Sequence, residues 1–187
     1  YLAKLTASLR AAPGAQSPPL CDPAALSHQI FSILTSREFC YLGRTKTEPY
    51  RESAVFAMES DVRAGAAVRF YYDIGAGYHA SIDPASSGLV FAVGFSELCV
   101  LAQIASFCNR VSEVHSPGAR FVLVIDNVCG LLTNDIPLAR TAEYCAGLRA
   151  LIDETGMSGR VGVLVESEEF ALSEYTIDRQ RLEADVA

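Results

Sequence analysis

Hydrophobic positions along the chain change period several times, and each change marks an element. Two short apolar runs stand out, Phe121-Val122-Leu123-Val124-Ile125 and Val161-Gly162-Val163-Leu164-Val165. Continuous runs of this length, bounded by turn residues, read as buried parallel strands. A third segment, Ala67 to Tyr72, mixes β-branched and aromatic residues and reads the same way. The pattern thus predicts strands over 67–72, 120–125 and 160–165. Each is followed by an acid: Asp73, Asp126 and Glu166.

Helical spacing fills the intervals. Leu26, Ile30, Ile33 and Leu34 mark a helix opened by Asp22-Pro23 and running to about Ser36. Val55, Met58 and Val62 mark a helix over about 48–64, stopped at Gly65. Leu98, Leu101, Ala105, Cys108 and Val111 mark one that runs to about His115, with Ser96 as expected N-cap and Glu97 in its first turn. Cys145, Leu148, Leu151 and Ile152 mark a helix over about 137–154, ended by Gly156. A charged amphipathic helix is expected over about 168–186, on Phe170, Leu172 and Ile177. Segments 37–47, 73–87 and 127–136 read as loops. Leu89 to Val93 reads as a short strand or an extended approach to the next helix. Residues 1–20, rich in Ala, Pro, Gly and Ser, read as a loose segment with a short helix at its start, preceding one domain over 21–187.

This β-α-β-α-β rhythm predicts an α/β fold, a Rossmann-like three-layer sandwich with a mostly parallel central sheet. Composition narrows the function classes. The chain has 187 residues, 50% hydrophobic and 20% charged, which is globular rather than disordered. Its net charge of -7, with no basic run, argues against nucleic acid or an anionic membrane as partner. The longest uncharged apolar stretch, Leu98 to Cys108, is too short to span a bilayer. No secretory signal is legible, and the chain opens on Tyr1, as a processed or excised chain would.

The six cysteines form no Cys-x-x-Cys and lack histidines at metal-finger spacing, so no structural metal is expected. They read as buried free thiols in a reducing cytoplasm, with Cys129 alone considered as a nucleophile.

Open α/β sheets bind ligands at the carboxyl ends of their strands. Asp73, Asp126-Asn127 and Glu166 are therefore expected along one edge. Asp is also common there simply because it starts turns and caps helices. Gly75-Ala76-Gly77 permits unusual backbone angles, and its amides could cradle an anion. It is not a dinucleotide fingerprint, and no Walker-type Gly-Lys-Ser/Thr occurs, so no cofactor is expected. His79, close to Ser81 and Asp83, could serve as general acid or base. His28 and His115, on or ending helices, read as packing or dipole residues. Arg69 and Arg120 read as partners for an acid.

The order of segments resembles the isocyanide (isonitrile) synthases of the pyoverdine and dityrosine biosynthesis family. That family shows a helix ending in a Phe-Cys-like pair, then Tyr-x-Pro-Gly-Ala, a strand ending in Ser-Asp-Gly, and a helix beginning near Tyr-x-x-x-Leu. The matching residues here are Glu97, Phe107-Cys108, Pro117-Gly118-Ala119, Asp126 and Tyr144 to Leu148. Gly65 to Tyr72 resembles the family's Gly-x-Pro-Ile strand, and Ala76 to Asp83 falls where it has Phe-Pro-x-Lys-Ser. The likeness covers about residues 25 to 170. Three departures accompany it. Ala80 stands at the loop lysine, although Ser81 fits. Ile125-Asp126-Asn127 replaces Ser-Asp-Gly, and Gly94-Phe95-Ser96 replaces the Pro-Asp before the helix glutamate. Family members are also considerably longer.

The resemblance implies a small-molecule biosynthetic enzyme of specialised metabolism, making an isonitrile from an amino acid and a sugar phosphate. Asp126 and His79 would then handle protons. Gly75, Gly77 and Ser81 would hold an anionic group, and Asp73 or Glu166 would bind an amine, with Asp83 and Asn127 completing the substrate site. The alternatives are a non-catalytic binding or partner subunit that keeps the scaffold, within a homo- or hetero-oligomer, and an unrelated transferase on a Rossmann-like sheet.

Overall fold

The computed structural model describes residues 22–40, 44–74, 80–82, 89–91 and 93–172. The first helix, α1 (Pro23–Leu34), begins as the sequence predicts. Asp22 accepts the Ala24 N–H through its carboxylate at 3.3 Å, and Pro23 occupies the first turn. The expected helix over 48–64 is divided. A short α2 (Arg44–Thr47) and a 3₁₀ turn (Glu48–Tyr50) precede α3 (Arg51–Arg63). Pro49 lies in the 3₁₀ turn, and Arg51 grips Glu48 at 2.6 Å across the junction.

Three parallel strands form the sheet, in the order β1-β4-β5. They are β1 (Val68–Ile74), β4 (Ala119–Ile125) and β5 (Val161–Val165). The α/β, Rossmann-like parallel layout is thus found. β1 runs past its expected end because its pairing with β4 continues through Asp73↔Val124 and Ile74↔Ile125. Asp73 therefore belongs to the strand rather than to a loop. The expected loop also contains a strand: β2 (Ala80–Ile82) pairs antiparallel with β3 (Leu89–Phe91).

Two crossover helices follow. Gly94, not Ser96, is the N-cap of α4 (Phe95–Ser112), and its N–H donates to the Glu97 carboxylate at 2.7 Å. The expected loop after β4 is instead a helix, α5 (Asn127–Asn134). Asp126 starts it by accepting the Cys129 N–H at 3.0 Å, and Asp135 ends it in the left-handed region at φ 56°. After α6 (Leu138–Glu154) and β5 comes a single turn, α7 (Glu166–Glu169); of the helix expected over about 168–186, residues 173–186 lie outside the described residues. α7 stops at Phe170, and Ala171 takes φ 50°.

The core lies between one face of the sheet and the helices. Phe70 and Phe121, register partners on β1 and β4, stack at 5.2 Å, and Phe107 of α4 meets both edge-on at 5.2 and 5.6 Å. Ile125, Leu123, Leu148 and Val161 continue the core toward α6. Period-2 alternation puts Arg69, Tyr71, Asp73 and Arg120 on the opposite face, all exposed. Among the described residues no helix is long and apolar enough to cross a membrane.

Candidate functional site

A cleft of about 530 Å³ opens beside the carboxyl half of β1, between that strand, α4 and α6. Its apolar wall is Ile74, Val100, Leu101, Leu123 and Leu148. Its polar side chains are Ser96, Glu97 and Tyr144, and the strand residues Tyr71, Tyr72 and Asp73 form its rim, the side chains of Tyr71 and Asp73 standing on the opposite face of the sheet. Among the described residues, no cationic side chain lines it.

Glu97 organises the polar end. It sits in the first turn of α4, where the helix dipole favours a negative charge. One carboxylate oxygen accepts from the Gly94 N–H at 2.7 Å and from the Ser96 hydroxyl at 2.9 Å. The other accepts from the Tyr144 hydroxyl at 3.4 Å. Tyr144 is 1% exposed on the buried stripe of α6, where a phenol needs a polar partner. Burial first, and the neighbouring Glu97 charge second, push its pKa well above the usual phenol range. The phenol therefore stays a donor. A fixed, negatively charged acceptor above an apolar wall suits a substrate with an ammonium at one end and an apolar body.

A second group of acids lies at the carboxyl edge of the sheet. Asp126 is the N-cap of α5, and Glu166 is the first residue of α7, whose N-cap is Val165. The Glu166 carboxyl holds its proton more tightly than usual: burial is the first cause, and hydrogen bonding to Asp126 and that residue's charge follow. The Val128 N–H opposes this, and the charge of Asp73 adds to it. Glu166 Oε2 is buried without a hydrogen-bond partner, which disfavours the charged carboxylate further. The three strand-end acids expected along one edge are thus brought within electrostatic reach. Among the described residues no group of three or more His, Cys, Asp and Glu side chains is placed to hold a metal ion.

No family model, curated protein or solved structure matches the chain.

Other expected site residues divide as follows. Asn127 is 3% exposed, and both ends of its amide are engaged by Ser167: it donates to the hydroxyl at 2.7 Å and accepts the N–H at 3.0 Å. It ties α7 to α5. Gly75, Gly77, His79 and Asp83 lie outside the described residues, and Ser81 is described only as part of β2. Cys129 is exposed on α5, and Cys108 and Cys145 are buried. Burial pushes both of these thiols up to about 11, so they are packing groups rather than nucleophiles. Cys40 and Cys99 are half-buried rather than buried as expected, and Cys21 lies outside the described residues. His28 is exposed on α1, so packing does not explain it. His115 is 4% exposed, with its Nε2 2.7 Å from the Ala66 carbonyl. Arg69 pairs with Asp61 at 3.0 Å.

Glu97 and Tyr144 were legible as motif matches but not as a pair. The signal for Glu97 was an acid three residues after a helix-start glycine, and that for Tyr144 a phenol on an apolar stripe.

Proposed function

We propose that the protein is a small-molecule biosynthetic enzyme, isocyanide-synthase-like, that acts on the amine of an amino-acid-type substrate. The observation that carries this reading is the Glu97–Tyr144 contact on the cleft wall. The two residues come from segments 47 positions apart, and both belong to the motifs that resemble that family. In this reading the substrate ammonium rests on Glu97, and its side chain lies against Leu101, Leu123 and Leu148. Asp126 and Glu166 form the acid–base group nearest the strand end. The sugar phosphate expected as co-substrate would be held by Gly75, Gly77 and Ser81, as the family resemblance implies. A cytoplasmic setting fits the free thiols.

The test combines calorimetric titration with leucine and an infrared assay for isonitrile formed from amino acids and a pentose phosphate. Wild type binds leucine and forms the isonitrile. Glu97→Gln keeps an acceptor for the Gly94 N–H, and so the helix start, but loses amine binding and product. Tyr144→Phe, which frees the Glu97 oxygen of its donor, shifts leucine affinity by about tenfold. Equal leucine affinity in wild type and Glu97→Gln would contradict the reading. Leucine binding without turnover favours the non-catalytic relative, which Ala80 at the loop-lysine position supports.

A further inference from the structure

β1 has one edge that no described strand covers. In the order β1-β4-β5 it is an outer strand. The Val68 N–H donates to the Gly118 carbonyl at 3.0 Å, which turns the backbone groups of alternate residues from Val68 onward toward β4. The groups of Arg69, Tyr71 and Asp73 face outward. At Arg69 the edge is closed, because its N–H is held by the Asp61 carboxylate at 3.1 Å. That leaves the outward N–H and C=O of Tyr71 and Asp73, beside the cleft they line.

A second apolar compartment, of about 280 Å³, adjoins the first on the helix side of this edge. The two share Tyr72 and Val100. Its wall is Phe39, Ile104 and Phe107. Two apolar compartments in sequence along a strand edge that no described strand covers match an extended chain, whose alternate side chains point the same way about 7 Å apart. The acid Glu97 lies at one end only.

We propose that this edge binds the amino-terminal end of an extended peptide, which adds antiparallel to β1 as a short fourth strand. The proposal rests on the reading of the cleft as an amine site and names its ligand more closely. The amino acid is presented as the first residue of a peptide rather than free. Its ammonium meets Glu97, and its side chain fills the first compartment opposite Ile74. Residue 2 exchanges backbone hydrogen bonds with Asp73, and residue 3 puts its side chain into the second compartment opposite Tyr72. Residue 4 pairs with Tyr71, and the Asp61–Arg69 contact ends the ladder. Antiparallel edge strands on otherwise parallel sheets are common, so the direction is not exceptional.

Calorimetric titration of the full chain tests this with four ligands: Leu-Ala-Leu-Ala-amide, the same peptide N-methylated at residue 2, its N-acetylated form, and leucinamide. The parent peptide binds at least about tenfold more tightly than leucinamide, because it adds ladder bonds and a second apolar contact. N-methylation at residue 2 and N-acetylation each cost about tenfold or more. An N-methylated peptide as tight as the parent, or leucinamide as tight as the parent, overturns the edge proposal while leaving the amine site standing. Absence of binding by all four overturns both.

Discussion

Single carboxyls carry most of the argument about chemistry. Glu97 is held by three donors and stands ready to accept a cation, whereas Glu166 is crowded by Asp126 and burial. A carboxyl with a raised folded value binds its proton more tightly in the folded state than in the unfolded chain. Its contribution favours the fold below the ordinary carboxyl range and is lost as the pH rises through the raised value. Glu166→Gln replaces it with a side chain that stays neutral. Denaturant midpoints of wild type and Glu166→Gln should therefore be similar near about pH 4, with the variant the more stable at about pH 7. A gap that is constant with pH, or that favours wild type at pH 7, would show that burial and Asp126 do not tighten the proton on Glu166.

Helices and strands were legible where local and tertiary demands agree. The runs at Phe121–Ile125 and Val161–Val165 fold as parallel strands because apolar side chains on a central and a neighbouring strand need no help from a loop. The segment 127–136 was misread because its Asn, Gly and Thr have turn preferences. Asp126 overrides them by capping the first turn, and Asn127 locks that turn to Ser167. Ser96 was misassigned for a related reason: hydroxyl residues are the commonest caps, but Glu97 reaches back to the Gly94 N–H and starts the helix earlier. The hairpin β2–β3 had no alternating pattern long enough to show. The site followed the same division. The convergence of Asp73, Asp126 and Glu166 follows from parallel strand ends and could be read in advance. The Glu97–Tyr144 pair needed the packing of α4 against α6, which spacing within either helix does not reveal.

The turn between α4 and β4 gives a test at this scale. Gly118 takes φ +75°, and a Cβ there would stand 2.8 Å from the Ser112 hydroxyl oxygen. That hydroxyl is already committed to the Cys108 carbonyl at 2.7 Å, so it cannot yield without losing a bond. Gly118→Ala should lower stability by about 1–3 kcal/mol in urea unfolding. Adding Ser112→Ala should recover only the part due to contact, since the backbone strain remains. A Gly118→Ala protein within about 0.5 kcal/mol of wild type would contradict this account of the turn.

At the scale of the molecule, a small parallel sheet gathers its polar groups at one end. Asp126 and Glu166 cap the carboxyl edge, while Glu97 and Tyr144 line a cleft under the adjoining outer strand, with Asp73 between the two sets. The net charge of -7 adds a general attraction for cations to these local acceptors. Under the proposed function, the apolar wall then selects among them for an amine with a hydrophobic body. The measurement that bears most directly on this is an amide-resolved NMR titration of the protein with leucinamide. The account predicts saturable shifts concentrated at Asp73, Ile74, Ser96, Glu97 and Tyr144, and their loss in Glu97→Gln. Shifts that cluster elsewhere, or that persist unchanged in Glu97→Gln, would contradict it.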